Sequence, residues 1–333
     1  MTGPITGLLY RLNKGYLNFS DLVVGVLFDP LRDIVLITGG GSGLGKELAS
    51  KFRSKKATVV VFDIKPPEEG TPDFVQGVTY VNCDVSDREA VLEKAEWVKQ
   101  NVGVVTMLIN NAGITMGKSL LELSFDEIET SLQVNLLSSF YTIKAFLPEM
   151  LNVKRGYIIT VASTLGYLSP ARLSAYGAAK SGLIALHESL TYELGPPAFN
   201  TTGVKTLLLC PGQLRTGLFQ GVRTPSTLLA PELDPKDVAN TLYKSVRLGK
   251  RGEMKMPLYG NLIPLVRSVP WPLAELARYL SGMDQSMKKF VGNAVTISEK
   301  SAASLNEAAS IISSMLPGRS TSSSSPAIEE ISS

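Results

Sequence analysis

Residues 34–55 read as strand, glycine-rich turn and helix in immediate succession, and few folds accept that order. Ile34-Val-Leu-Ile-Thr38 is a short apolar run of the kind a buried strand needs. Gly39-Gly40-Gly41-Ser42-Gly43-Leu44-Gly45 follows, and Lys46 to Lys55 reads as a helix. Glycines let a backbone come close to a bound group. A helix N-terminus adds free N–H groups and the positive end of a dipole. Together they make a cradle for the pyrophosphate of a dinucleotide.

A second strand, Thr58-Val-Val-Val-Phe-Asp63, ends on a carboxylate eighteen positions after Gly45. An acid at that place accepts hydrogen bonds from an adenosine ribose and repels a 2′-phosphate. The turn carries no Lys or Arg to offset the charge, although Lys65 is near. NAD is therefore expected rather than NADP. The alternative for Asp63 is a strand-end turn residue.

Tyr176-Gly-Ala-Ala-Lys180 lies in a run, Leu173 to Leu194, that reads as a helix. Residues at i and i+4 share a helix face. An ammonium beside a phenol favours the phenolate and lowers a pKa of about 10 towards neutrality. Such a Tyr gives or takes a proton at an alcohol or carbonyl oxygen.

With these motifs the chain resembles the short-chain dehydrogenase/reductase family. Thr38 to Gly45 matches its Thr-Gly-x-x-x-Gly-x-Gly. Asn110-Asn111-Ala112-Gly113, after a strand from Val105 to Ile109, matches its Asn-Asn-Ala-Gly. Val134-Asn135-Leu136 holds its helix asparagine, and Ser163 stands thirteen positions before Tyr176. Pro211-Gly-Gln-Leu-Arg-Thr216 matches its Pro-Gly-x-x-x-Thr. The likeness spans residues 34 to 260. Thr164 departs from the family's more common Ser.

The resemblance implies a catalytic set of Asn135, Ser163, Tyr176 and Lys180. Tyr176 would be the acid/base, and Ser163 would bond the reacting oxygen. Lys180 would tune Tyr176 and hold the nicotinamide ribose. Asn135 would hold a water behind Lys180, or else bridge neighbouring segments. Gly39, Ser42, Gly43, Leu44 and Gly45 would line the pyrophosphate turn, and Asp63 would take the ribose. Asp84 and Val85 would meet the adenine, and Asn111 and Gly113 the ribose and nicotinamide path. Pro211, Gly212 and Thr216 would flank the nicotinamide. A homodimer is implied, paired through helices Ser124–Leu147 and Ala171–Leu194.

Composition agrees. Strands alternating with helical stretches over 333 residues favour one doubly wound α/β domain of Rossmann type with a parallel sheet. Continuous apolar strands such as Tyr157 to Val161 and Val204 to Cys210 suit a sheet buried on both faces. The net charge of +3 gives no basis for nucleic-acid binding. Cys83 and Cys210 fall on expected strand ends, as buried free thiols rather than a disulfide. With His187 as the one histidine, on the Tyr176 helix, the sequence offers no zinc cluster.

Segments outside the core are residues 1–31, 261–300 and 301–333, around a catalytic domain of 32–260. Leu22 to Phe28 is apolar but only seven residues long, against about 20 for a membrane span. It would lie in a membrane interface or pack on the protein. Residues 261–300 are rich in Leu, Val, Ile and Trp. They resemble the extension of the membrane-associated retinol dehydrogenase and long-chain 17-beta-hydroxysteroid dehydrogenase branch. The expectation is one membrane face built from both extensions. It would face the cytosol on endoplasmic reticulum or lipid droplet, the alternative being a cytosolic protein. The Ser-rich stretch 301–333 reads as a disordered tail.

Gly217-Leu218-Phe219, Val222 and Leu228-Leu229 form an expected lid, which suits a lipophilic alcohol or ketone. The leading function is an NAD-dependent oxidoreductase of such an alcohol: a retinoid, a steroid or a long-chain lipid. The alternatives are an NADPH-dependent ketoreductase using Lys65, and a non-catalytic membrane or lipid-droplet scaffold. The joint presence of Asn135, Ser163, Tyr176 and Lys180 speaks against the scaffold.

Overall fold

Seven strands form one parallel sheet. They are β1 Ile34–Thr38, β2 Thr58–Asp63, β3 Thr79–Asn82, β4 Met107–Asn110, β5 Gly156–Val161, β6 Val204–Pro211 and β7 Gly252–Met256. Their order is β3-β2-β1-β4-β5-β6-β7. This computed structural model describes residues 27–196, 200–222 and 231–290. The Ser-rich stretch 301–333, most of the N-terminal extension, and Leu228 and Leu229 of the lid lie outside the described residues.

Helices cover both faces, so successive strand residues all meet apolar partners. On one face Val35, Ile37, Val59 and Val61 pack with Leu48 and Phe52 of α1 (Gly43–Ser54) and Leu242 and Val246 of α6 (Pro235–Arg247). On the other face Leu36, Val60, Leu108 and Ile158 meet three more helices. These are α2 (Arg88–Asn101), α4 (Ser138–Asn152) and α5 (Ser174–Glu193). This double cover is what turns the strands into apolar runs without alternation.

Several boundaries differ from the sequence reading. The helix expected over Ser124–Leu147 is α3 (Phe125–Leu132), a π-helical turn (Gln133–Leu137) and then α4. Such single π turns often mark functional positions, and this one carries the buried Asn135. The last strand stops at Met256 because Pro257 cannot extend the ladder, and Leu258–Asn261 becomes a 3-10 turn. Beyond it come a short α7 (Ile263–Val266) and α8 (Trp271–Ser281). Gly282, at φ 65°, ends α8 in a left-handed cap. β3 stops at Asn82, one residue before the strand end expected at Cys83, and only Val81 of its four residues is buried.

Of Leu22 to Phe28 only Leu27 and Phe28 are described, and there the chain packs on the protein, one of the two expectations. Phe28 is a core residue, not an interfacial one. Its ring lies 5.4 Å from that of Phe52 and 6.1 Å from that of Tyr243, both edge-on. It plugs the groove between α1 and α6 at the amino end of β1. Arg155 clamps the same place, bonding both carboxylate oxygens of Asp33 at 2.6 and 2.7 Å and the Leu27 carbonyl at 2.9 Å. Arg247 donates to the Phe28 carbonyl. The incoming chain is thus fixed at the amino edge of the sheet, while residues 258–290 follow β7 from its carboxyl edge.

Cys83 and Cys210 are both buried free thiols. His187 is buried on α5, with Nδ1 3.0 Å from Thr160 Oγ1. Burial disfavours its imidazolium and pushes its pKa down to about 4. The unfolded chain takes up that proton at about pH 6.5. This contribution is therefore complete above about pH 6.5 and is lost as pH falls towards 4, by roughly 3 kcal/mol. His187→Gln is expected to flatten that part of the stability profile. Urea unfolding of both proteins between pH 7 and 4.5 measures it, and parallel profiles would refute it.

Candidate active site

The strand order reverses between β1 and β4: one branch of the chain runs outward to β3 and the other to β7. Ligands of open α/β sheets bind at the carboxyl ends of strands beside such a switch point. Thr38, Asp63, Asn110, Val161 and Pro211 all stand at those ends.

The glycine turn is held from the far side of the switch point. Asn111 Nδ2 donates to the carbonyls of Thr38 and Gly39, both at 3.0 Å. Thr38 Oγ1 accepts the N–H groups of Asn111 and Ala112, also at 3.0 Å. Gly39 has φ 64°, and a Cβ on it would stand 2.8 Å from Ala112 Cα. A Cβ on Gly45 would meet the Gly39 carbonyl and lie 2.7 Å from Asn111 Nδ2. Only glycine permits this approach. Asn111 thus holds the turn. The sequence did not reveal that role, because the bonds join segments more than seventy positions apart.

The turn fits a pyrophosphate. Ser42 is the extended N-cap of α1, yet its hydroxyl makes no cap bond, and the first turn of α1 has no acidic residue. The positive end of the helix is left for an anion. Leu44 is buried beneath it. Thr216 stands above, 3.3 Å from where a Cβ on Gly43 would be. Asp63 accepts the Gly41 N–H at 2.8 Å on one oxygen and the Lys65 N–H at 3.0 Å on the other. It is both the strand-end turn residue and a carboxylate beside the turn. Asp84 accepts from the backbone and hydroxyl of Ser86 at 3.0 and 2.6 Å. Val85 is buried in the core.

Four further residues meet on the other side of the switch point. Asn135 bonds both the N–H and C=O of Ile114, at 3.1 and 2.9 Å, and the Ser131 carbonyl at 2.9 Å. Its amide bridges the π turn to the segment after β4. Gly113 lies between Asn135 and Lys180: a Cβ there would be 2.9 Å from Asn135 Oδ1 and 3.5 Å from Lys180 Nζ. Lys180 Nζ donates to the Val161 carbonyl at 3.1 Å and sits 5.7 Å from the Tyr176 ring centroid. Ser163 Oγ accepts the Leu165 N–H at 3.1 Å and approaches the Pro211 carbonyl at 3.4 Å. Its hydroxyl also lowers the Tyr176 pKa by hydrogen bonding, against the effect of burial. Gly212 follows Pro211, close against Tyr259.

The electrostatics differ from the expected balance. Burial pushes the Tyr176 phenol up to about 12, and the Ser163 hydrogen bond offsets only part of this. Burial pushes Lys180 down to about 8. Desolvation of both groups outweighs the pull of the ammonium on the phenol, because each loses the water that would stabilise its charge. Tyr176 is only 5% exposed.

An apolar wall encloses Tyr176. Phe219 meets its ring edge-on at 5.6 Å. Val222 and Met287 complete the buried cluster, with Phe290 packed against it. Phe219 and Val222 are lid residues expected from the sequence. Met287 and Phe290 are not: they arrive from the 3-10 helix Met283–Lys289 and its end. The ring of Phe290 presses on Gly117, where a side chain would overlap it. Their apolar spacing after Gly282 was the available signal.

The family model described as short chain dehydrogenase matches residues 33–226. Human estradiol 17-beta-dehydrogenase 11 is 40% identical over 232 residues, covering 66% of this chain and 75% of that protein. Retinol dehydrogenase 10-B of Danio rerio is 39% identical over 231 residues, covering 61% and 68%. Among solved structures, a short chain dehydrogenase from Burkholderia cenocepacia in complex with NADP superposes with a TM-score of 0.63. It is 23% identical and covers 76% of this chain and 99% of its own. Matched across its whole dinucleotide-binding core, the chain belongs to the short-chain dehydrogenase family, NAD(P)-dependent oxidoreductases that act on CH–OH groups.

Proposed function

We propose that the protein is an NAD-dependent oxidoreductase that interconverts a lipophilic primary or secondary alcohol and its carbonyl, with Tyr176 as acid/base. A retinoid, a steroid or a long-chain lipid fits this description. One buried cluster carries the reading. The Tyr176 hydroxyl meets Ser163, Lys180 lies near its ring, and Phe219, Val222, Met287 and Phe290 enclose it. An estradiol dehydrogenase and a retinol dehydrogenase among the relatives favour an apolar alcohol. Such a wall separates neighbouring substrates by only about 1–3 kcal/mol per methylene, so it defines a class and not a compound.

When bound, the nicotinamide supplies the hydride chemistry. The chain's own groups manage the oxygen. In reduction, the carbonyl oxygen becomes alkoxide-like and takes the Tyr176 proton, while Ser163 stabilises the charge by hydrogen bonding. In oxidation, Tyr176 receives the alcohol proton. A phenol pushed up to about 12 keeps its proton at neutral pH, the form that reduction requires. A charged Lys180 favours the phenolate needed for the reverse step. The Val161 carbonyl holds Lys180 in register with it, in the space Gly113 leaves open.

Asp63 supports NAD. Its carboxylate already accepts two backbone N–H groups at the turn, and its charge repels a 2′-phosphate. A homodimer through α3–α4 and α5 completes the reading, supported by the exposed Leu137 and Phe140 on that surface. The protein would work at a membrane surface facing the cytosol, on endoplasmic reticulum or lipid droplet. What supports this is the row of exposed Leu and Trp side chains over residues 258–280. Among the described residues no helix is long and apolar enough to cross a membrane.

Tyr176→Phe removes one hydroxyl and keeps the ring. Turnover of retinol, hydroxysteroids or long-chain alcohols is expected to fall by about 10²–10⁴-fold, with cofactor binding close to normal. Retention of more than a small fraction of activity rejects Tyr176 as the acid/base.

Asp63→Ala with Ile64→Arg is expected to shift preference from NADH towards NADPH by roughly tenfold or more, read by fluorescence titration. The same change removes the acceptor for the Gly41 N–H, so some affinity for both cofactors goes with it. Tighter binding of NADPH than NADH by the parent protein would reverse the assignment and favour a ketoreductase.

Light scattering at micromolar concentration is expected to give twice the chain mass. A monomer there counts against the pairing of α3–α4 and α5.

A further inference from the structure

The start of α5 is a second helix N-terminus at the candidate site, and like that of α1 it is left open. α2, α3 and α6 each begin on a side chain that caps them: Asp87, Ser124 and Asp234. α5 begins on Leu173, which has no such group, and its first turn has no acidic residue. Its first backbone bond runs from the Gly177 N–H to the Leu173 carbonyl at 2.7 Å. Among the described residues the N–H groups of Ser174, Ala175 and Tyr176 therefore donate to nothing. Open donors at a helix start are met by a cap, by water or by a ligand.

A second observation points into the same place. Thr115 lines one cleft with Ser174, Ala175 and Tyr176. It is 4% exposed, and its Oγ1 is buried with no hydrogen-bond partner. A hydroxyl left in that state costs about 1–3 kcal/mol. Its backbone is fixed, because the preceding Ile114 is bonded through both N–H and C=O to Asn135. The two cations of the cleft are already neutralised. Lys118 pairs with Glu127, and Arg172 bonds Glu122 at 2.9 Å and the Gly117 carbonyl at 3.0 Å. Both carboxylates are thereby occupied as well. What the cleft has left to offer is donors: three N–H groups, one hydroxyl and the positive end of a helix dipole.

We propose that this cleft is a subsite for an oxygen acceptor on the substrate, a carbonyl oxygen borne near the reacting carbinol carbon, with Thr115 as the side chain that selects for it. The inference rests on the alcohol oxidoreductase reading. It narrows the lipophilic alcohol to one with a second oxygen function: a hydroxy ester, a hydroxy ketone or a hydroxy acid. Tyr176 joins the two regions, since it lines the cleft and is also part of the apolar cluster. A substrate with its alcohol at Tyr176 and its chain against Phe219 and Met287 has the cleft as its polar neighbour. A site that bonds a substrate oxygen rejects an analogue without it far more strongly than an apolar wall separates homologues, because the site's own groups are then unpaired. Thr115 is a specificity residue in this scheme and takes no part in proton transfer.

The test uses the full chain with NAD and compares a long-chain secondary alkanol with hydroxyalkanoate esters of equal length, the hydroxyl on the second, third or fourth carbon. The parent is expected to turn over at least one ester with kcat/KM roughly tenfold or more above that of the alkanol. Thr115→Val keeps the shape, removes the hydroxyl and should lose most of that preference, whereas Thr115→Ser should keep it. Ser174→Asp should lower the preference too, because its carboxylate takes up the open donors, while the better-capped helix raises the melting temperature. A damaged fold gives the opposite change in melting. Equal preference in Thr115→Val and the parent overturns the proposal. So does a parent that favours the plain alkanol over every ester. Calorimetry with the corresponding keto esters and NADH separates this inference from the catalytic reading. Binding by the parent that Thr115→Val weakens, with no turnover of any alcohol, rejects the oxidoreductase reading alone. No turnover and no difference in binding between the two rejects the subsite as well.

Discussion

The bonds from Thr38 and Asn111 across the β1–β4 junction are the constraint on which the rest of the site depends. A parallel sheet leaves its strand ends as open backbone, and at the switch point two loops leave in opposite directions. One asparagine amide satisfies two carbonyls of the glycine turn, and one threonine hydroxyl receives two N–H groups of the facing loop. Buried backbone groups need such partners. With them in place, the turn meets Ala112 at a distance only glycine tolerates, and α1 starts with its N-terminus facing the crevice. The next residue on the other loop, Gly113, is set beside Asn135 and Lys180. Cofactor cradle and proton-handling groups are therefore positioned by the same few bonds.

Burial governs the chemistry of the cluster. Tyr176 and Lys180 lie on successive turns of α5, and each is shielded from water. The cost of charging them separately is high, which is why the phenol is pushed up and the ammonium down. Ser163 is the one hydrogen-bond partner that works against this for the phenol. Proton transfer at the substrate oxygen thus takes place among groups whose charges are strongly felt, since little solvent screens them. The enclosing wall of Phe219, Val222, Met287 and Phe290 keeps that environment dry and gives the site its preference for apolar molecules.

The segment after β7 has two faces with different physical demands. Its inner end fills the space over Tyr176 and against Gly117. Its outer face leaves Trp271, Leu276 and Tyr279 in contact with solvent, which an isolated soluble surface avoids at this density. Arg278 and Asp284 bind the two together and attach both to the 169–172 turn. Any surface that covers the outer face is therefore mechanically close to the reacting groups.

Much of this protein was decided locally, and those parts are legible in the chain. β1, the glycine turn and the start of α1 follow from an apolar run, positive-φ positions and a helix cap. Tyr176 and Lys180 share a face because α5 has a period of 3.6 residues. The spacing of Ser163 from Tyr176 marks the cluster before any coordinates. Other features needed the tertiary structure. Asn111 holds Gly39 only because β1 and β4 are neighbours. Phe28 is core rather than interface because α1 and α6 leave a groove at the amino edge of the sheet. The pKa balance at Tyr176 is set by burial, which periodicity does not give. Local sequence fixes backbone geometry and the identity of reactive groups. Which of them lose water, and which distant segments meet, is decided when the sheet closes its two layers of helices.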